Sequence, residues 1–189
     1  SNSKKSYISK DEIKELKNIE TKLVKKNYLN ISCSYDEVNK LKADFKIMNV
    51  AHVPLFYPYL KKPRSKNKNK KIKIVFIGSF NHTPNTDAVN FLCKEIYPKI
   101  KNKISIYIIG PFEEKIRHLK NDNIHILGKV ENFQVFLKKM DLAISPLRYG
   151  AGTKGKLLTY ATYNLPVICS KISVEGTLFR HRKHCYIPE

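Results

Sequence analysis

Lys73-Ile74-Val75-Phe76-Ile77-Gly78 is the stretch on which the fold turns. Its apolar core runs without polar alternation and stops at glycine, the pattern of a short strand buried on both faces. Residues 86–96 then place apolar side chains at helical spacing, so the unit reads strand, loop, helix. The same unit returns at 105–109, ending in Gly110, with a helix expected over 113–120, and at 124–127, ending in Gly128, with a helix over 133–138. Residues 142–145 followed by 154–163 make a fourth, and 166–169 begin a fifth. Apolar strands alternating with amphipathic helices predict a parallel sheet with helices on both faces, its crossovers right-handed.

Upstream the pattern is thinner. Ile13, Leu16, Ile19 and Leu23 mark an amphipathic helix over 11–26, and a strand is expected over 28–33. Ser34, followed by Asp36 and Glu37, is a helix start leading into Val38, Leu41 and Phe45, and a second strand is expected over 50–56. Pro54, Pro58 and Pro63 together with a lysine run mark a linker, because proline removes donors and like charges resist compaction. Three regions result: 1–58, a basic linker over 59–71, and a larger domain over 72–189.

The chain of 189 residues carries a net charge of +20, from 36 basic and 16 acidic side chains. Lys61, Lys62, Arg64, Lys66, Lys68, Lys70, Lys71 and Lys73 concentrate part of the excess in one acid-free segment. That allows three readings: compositional bias, peripheral contact with an anionic membrane, or nucleic-acid binding. The last is set aside because no aromatic-basic RNA signature accompanies the charge. No apolar run is long enough to span a bilayer, and the expected location is cytoplasmic, with a peripheral place at the inner face of the membrane left open. Cys33, Cys93, Cys169 and Cys185 lie far apart and read as reduced thiols. His181, His184 and Cys185 have two cations among them and read as a solvated turn, so no metal is expected.

In parallel sheets ligands bind beyond the carboxyl ends of the strands, where Gly78, Gly110, Gly128 and the loop after Ser145 all fall. That loop, Pro146-Leu147-Arg148-Tyr149-Gly150-Ala151-Gly152-Thr153-Lys154-Gly155-Lys156, holds three glycines and three cations. Glycines let a backbone approach an anion closely, and lysines neutralise charge as it develops on a diphosphate. It is not a P-loop, since Leu157 follows Lys156 where Ser or Thr is required. Composition alone supports an anion site or a flexible turn with solvated lysines.

The ordered set is more informative than its parts. Ile74-Val75-Phe76-Ile77-Gly78-Ser79-Phe80, Pro84-Asn85 with Asp87-Ala88, Ile108-Ile109-Gly110, Gly128-Lys129-Val130, Pro146-Leu147, the run 150–156, Pro166-Val167 and Glu175-Gly176 together resemble the C-terminal, donor-binding domain of family 4 (group 1) glycosyltransferases. The resemblance covers about residues 72–189. It implies a GT-B architecture, of which this would be the C-terminal Rossmann-like half, truncated at its own C-terminus. Residues 1–58 would be the end of an acceptor domain and the crossing from it, with most of that domain lying outside the chain.

The resemblance further implies retaining transfer of a hexose from a nucleoside diphosphate sugar, such as a UDP- or GDP-hexose, to a glycan or lipid-linked acceptor, without cofactor or metal. Gly78, Ser79, Phe80, Asn85, Arg148, Gly150, Ala151, Gly152, Thr153, Lys154 and Lys156 would face the donor phosphates and sugar. Lys129, Val130 and Thr159 would lie by the base and ribose. Two carboxylates common in the family are absent: Ala151 and Thr159 occupy their positions, leaving Glu175 as the acidic candidate. No catalytic residue is assigned, and the chain alone is expected to bind donor weakly and transfer nothing. The alternatives are an inactive relative and a basic module holding an anionic membrane or polymer; a sugar-nucleotide epimerase lacks its acid and base here.

Overall fold

The computed structural model describes residues 9–58 and 71–189, so all of the basic linker except Lys71 lies outside the described residues. The chain divides into two compact units, Ser1–Pro54 and Leu55–Glu189. In the first, α1 (Lys10–Lys26) opens on a capping box: Glu12 N–H donates to the Ser9 hydroxyl, and the Glu12 carboxylate accepts from Ser9 N–H. Then follow β1 (Asn30–Ser32), α2 (Tyr35–Ala43) capped by Ser34, and β2 (Val50–His52), which pairs with β1 in parallel. Ser34 caps as expected, its hydroxyl accepting from Glu37 N–H. The second strand stops at His52, short of the expected 56, because Pro54 has no N–H to extend a ladder. Among the described residues no helix is long and apolar enough to cross a membrane.

The second unit carries a five-stranded parallel sheet: β3 (Ile72–Ile77), β4 (Ile104–Ile109), β5 (Ile124–Gly128), β6 (Leu142–Ser145) and β7 (Val167–Cys169), in spatial order β5-β4-β3-β6-β7. Side chains alternate along β3. Ile74 and Phe76 enter one core with Ala88, Val89, Leu92, Ile106 and Ile108, while Val75 enters the other with Ala143, Leu157, Tyr160 and Val167. Both faces are dry, which is why the strand reads as an unbroken apolar run. The first core is roofed by α3 (Thr83–Phe91), which passes through a π-helical turn (Leu92–Ile96) into α4 (Tyr97–Ile100). On the opposite face lie α5 (Phe133–Leu137) and α6 (Gly155–Thr162), each contributing side chains to the second core, and α7 (Lys171–Val174) follows β7. This is the α/β Rossmann-like sheet expected from the sequence.

One expected helix is absent. Residues 113–120 form two single 3-10 turns, Glu113–Lys115 and Arg117–Leu119, preceded by Phe112 in the left-handed region at φ 64°. Ile116 between them sits at φ −123° and ψ 0°, outside helical geometry, yet is fully buried in the first core. Burying Ile116 and Leu119 thus needs no continuous helix.

Strand order places the site. The chain moves outward from β3 through β4 to β5, then returns across to β6 on the other side, so the carboxyl ends of β3 and β6 flank the point where the winding reverses. Such switch points leave a crevice between neighbouring strand-to-helix loops.

Candidate functional site

Two loops meet at that crevice: the one leaving β3 at Gly78, and the one leaving β6 at Pro146. The first is held by backbone closeness. Gly78 N–H donates to Ile109 carbonyl at 3.0 Å and Gly110 N–H to Gly128 carbonyl at 2.8 Å, carrying the ladder past the strand ends. A Cβ on Gly110 would lie 1.8 Å from the Gly78 carbonyl oxygen, and one on Gly78 would lie 2.8 Å from the Asn85 side chain. Neither approach tolerates a side chain. Ser79 is half-buried, whereas the Phe80 ring, expected toward the donor, is turned into the core against Phe76 and only 1% exposed. Phe80 brings its main chain alone to the loop, its N–H donating to Pro111 and its carbonyl accepting from the Thr86 hydroxyl.

Asn85 joins the two loops. Its side-chain amide donates to the Ser79 carbonyl at 3.0 Å, and its Oδ1 accepts from the Lys156 ammonium at 2.6 Å. Asn85 is buried, near the start of α3, where Thr83-Pro84 opens the helix with a fixed φ. Lys156 also lies 4.3 Å over the Phe76 ring. Its pKa is lowered from 10.5 to about 7, first because burial strips water from the ammonium and second because Lys154 is near. Among the described residues no carboxylate pairs with Lys156.

The β6 loop is fastened along its length. Lys154 is buried, donating from Nζ to the Gly150 carbonyl at 2.9 Å, with Glu175 at 3.9 Å. The Thr153 hydroxyl donates to the Gly176 carbonyl at 3.3 Å. Glu175, the remaining acidic candidate, is thus set beside the loop by Lys154. Gly150 and Gly152 take positive φ of 119° and 79°, and Ala151 between them is exposed. Behind the loop, Ser173 bridges Ser145 and Ser170: its hydroxyl lies 2.9 Å and 3.0 Å from theirs, and the Ser170 hydroxyl donates to Leu147 carbonyl at 2.6 Å. Sequence reading missed this serine relay, whose members are separated by up to 28 residues.

The loop delivers its chain into α6, whose first residue, Gly155, follows Lys154 without a side-chain cap. Leu157 N–H turns back to the Lys154 carbonyl, leaving the Gly155 and Lys156 N–H groups at the helix mouth. Tyr160 locks the far side: fully buried, its hydroxyl oxygen accepts from Ile77 N–H at 2.9 Å, one residue before Gly78. Burial raises its pKa well above the ordinary phenol value.

The remaining expected residues are spread more widely. Arg148 is committed to Asp87 as a bidentate pair, Nε to Oδ2 at 2.9 Å and Nη2 to Oδ1 at 2.5 Å, and lies 5.0 Å over the Phe91 ring. Its charge is answered within the fold. Lys129 is exposed and Val130 half-buried after edge strand β5, two strands from β3, or about 10 Å across the sheet. The Thr159 hydroxyl donates to the Gly155 carbonyl at 3.2 Å, back along its own helix. In the C-terminal turn, His181 and His184 each accept a backbone N–H at Nδ1, from Ile187 and Arg180. Cys169 and Cys185 are buried side by side, and burial pushes the Cys169 thiol up to about 12.

Comparison with proteins of known structure gives this geometry a family. The chain matches a single-residue mutant of S. aureus TarM in complex with fondaparinux, alpha-GlcNAc-glycerol and UDP, at 18% identity and a TM-score of 0.74, covering 100% of this chain and 38% of that one. The pneumococcal O-GlcNAc transferase GtfA, in complex with UDP and GlcNAc, matches at 14% identity and TM-score 0.71 over 90% of this chain and 36% of its own. Anabaena Alr3699/HepE, in complex with UDP and glucose, matches at 10% and 0.69 over 96% and 54%. The chain therefore spans about a third to a half of the length of these GT-B glycosyltransferases. No curated protein sequence matches it. The family model described as "Glycosyl transferases group 1" matches residues 71–188, and the chain belongs to that family.

Proposed function

We propose that this chain is the donor-binding half of a retaining transferase that moves a hexose from a UDP- or GDP-sugar to a glycan or lipid-linked acceptor. The observation that carries the reading is Lys156. Its ammonium is desolvated, lacks a carboxylate partner among the described residues, and is aimed by Asn85 at the meeting of the Gly78-Ser79 loop with the mouth of α6. A dehydrated cation beside free helix N–H groups favours a diphosphate. UDP is present in both related structures cited above, with GlcNAc in one and glucose in the other, which supports the same ligand class here.

During transfer the bond from the anomeric carbon to the diphosphate oxygen breaks as the acceptor oxygen bonds that carbon. Charge accumulates on the departing diphosphate. Lys156 and the Gly155 and Lys156 N–H groups oppose that charge from fixed positions, so they stabilise the transition state more than the ground state. Neither a metal nor a cofactor enters this scheme. Lys154, tied to Gly150 and Glu175, shapes the loop around the sugar, and Lys129 and Val130 are assigned to the base. The group that activates the acceptor is assigned to a partner domain outside this chain.

Isothermal titration with UDP, GDP and their hexose conjugates tests the binding half of the reading. Heat with a uridine or guanosine diphosphate, lost in Lys156→Ala, is expected. A folded protein that gives no heat with any of them would sink it.

A further inference from the structure

The loop residues do not account for a second concavity in the same unit. It is a cavity of about 530 Å³ on the flank of α3, within the size range of sites that hold small ligands. Thr83, Thr86, Asp87, Asn90, Lys94 and Glu95 line it from α3 and the turn that continues it. Their spacing is that of one helical face, and such a polar face is ordinarily left open to water. Here it is walled: Arg148 and Tyr149 from the β6 loop stand on it, and Asn81 and Lys115 close another side.

The chemistry of the lining is selective. Of its five ionic groups, Arg148 pairs with Asp87, with Glu95 at 3.9 Å, Lys115 donates to the Asn81 Oδ1 at 2.7 Å, and Lys94 has no ion pair among the described residues. Between these charges stand neutral hydrogen-bonding groups. The Asn81 amide nitrogen is left over, and the Thr83 hydroxyl has no protein partner among the described residues. The Asn90 amide donates to the Thr86 carbonyl at 2.9 Å, which leaves its oxygen as an acceptor. Tyr149 adds a ring 46% exposed at the rim, an apolar platform with a polar tip. Neutral donors and acceptors set beside a flat apolar surface match the alternating hydroxyl and C–H faces of a sugar ring.

We propose that this pocket binds an uncharged pyranose unit of the acceptor glycan, holding it beside the donor loop through Asn81, Thr83, Asn90 and Tyr149. The proposal rests on the transferase reading above for the identity of the glycan as acceptor. The pocket shares the β6 loop with the donor site, since Arg148 and Tyr149 immediately precede Gly150. A sugar unit held there would lie along the donor domain, outside the reacting position, and would lengthen the stretch of acceptor the enzyme reads.

The test is amide chemical-shift mapping on the 189-residue chain, titrated separately with UDP, with methyl glucoside, methyl galactoside and N-acetylglucosamine, and with glucose 6-phosphate. The expected result is saturable shifts at Asn81, Thr83, Asn90 and Tyr149 with at least one neutral sugar. The expected dissociation constant is of order millimolar, weakened at least about fivefold in Thr83→Ala and Asn90→Ala while UDP shifts at Gly152 and Lys156 persist. UDP shifts without neutral-sugar shifts in the pocket would overturn the proposal and leave the donor reading standing. Shifts there with glucose 6-phosphate alone would overturn it by making the pocket an anion site. Neutral-sugar shifts with no UDP response would support the pocket and remove the donor reading.

Discussion

Lys156 and Asn85, 71 residues apart in the chain, are joined at 2.6 Å, and the same Asn85 side chain holds the Ser79 carbonyl. One amide thus sets the spacing between the two loops of the crevice. Asn85→Ala leaves a buried carbonyl and an ammonium without their partner, a loss of about 1–3 kcal/mol. Asn85→Asp should be more informative. The carboxylate restores the Lys156 pKa toward its ordinary value but repels a diphosphate, so UDP affinity is expected to fall at least about tenfold while stability is retained better than in Asn85→Ala. Titration calorimetry and denaturant melts read the two effects separately.

Donor binding should be coupled to proton uptake. Lys156 has a pKa of about 7 in the folded chain and 10.5 ordinarily; an adjacent diphosphate raises it again. Between those values the free protein is deprotonated at this site and the complex protonated, so affinity declines as pH rises above 7, at most about tenfold per unit. Below pH 7 the dependence from this group vanishes. The folding linkage has the opposite slope: the unfolded chain binds more protons over the same window, so this group makes the fold more stable as pH rises from 7 toward 10.5. Calorimetry in two buffers of different ionisation enthalpy counts the proton, and Lys156→Met should abolish it.

Thr159 stands where the family resemblance puts a ribose-binding glutamate, and its hydroxyl is engaged with Gly155. Thr159→Glu should add a charge-assisted hydrogen bond to a nucleotide ribose, about 1.5–3 kcal/mol. UDP affinity is then expected to rise by roughly ten- to a hundredfold, with a smaller gain for a 2′,3′-dideoxy analogue. An unchanged affinity would show that the ribose lies elsewhere.

Tyr160→Phe removes the hydroxyl oxygen that accepts from Ile77 N–H, in a fully buried position. Loss of about 1–3 kcal/mol is expected, measured as a lower urea midpoint at unchanged slope. Because Ile77 precedes Gly78, amide exchange should quicken first at residues 77–79.

Much of this architecture was readable because the sheet is dry on both sides. Ile74 and Phe76 face one core and Val75 the other, so the run 74–77 has no polar interruption and its end could be placed at Gly78. Helices were less legible where burial needs only one or two anchors. Ile116 and Leu119 have helical spacing, yet a left-handed Phe112 and a kinked Ile116 satisfy the same core. At the site, Asn85 was visible as a candidate but not as the joint, since its partners lie in two different loops. The pocket on α3 was hidden for a similar reason: a polar helical face looks solvated until Arg148 and Tyr149 are placed over it.

The π-helical turn after α3 has a consequence for how this chain tolerates change in length. Leu92 and Cys93 within it, and Tyr97 just past it, are all buried in the first core. The wide turn acts as a phase adjuster, taking up a residue so that Tyr97 meets the core while Lys94 and Glu95 stay on the pocket side. Deleting one residue between 92 and 96 would close the turn to an ordinary α-helical one and leave Tyr97 near its seat, whereas a deletion within Thr83–Phe91 would rotate all that follows by about 100°. A single-residue loss should therefore be borne at that turn better than anywhere else along this helical stretch.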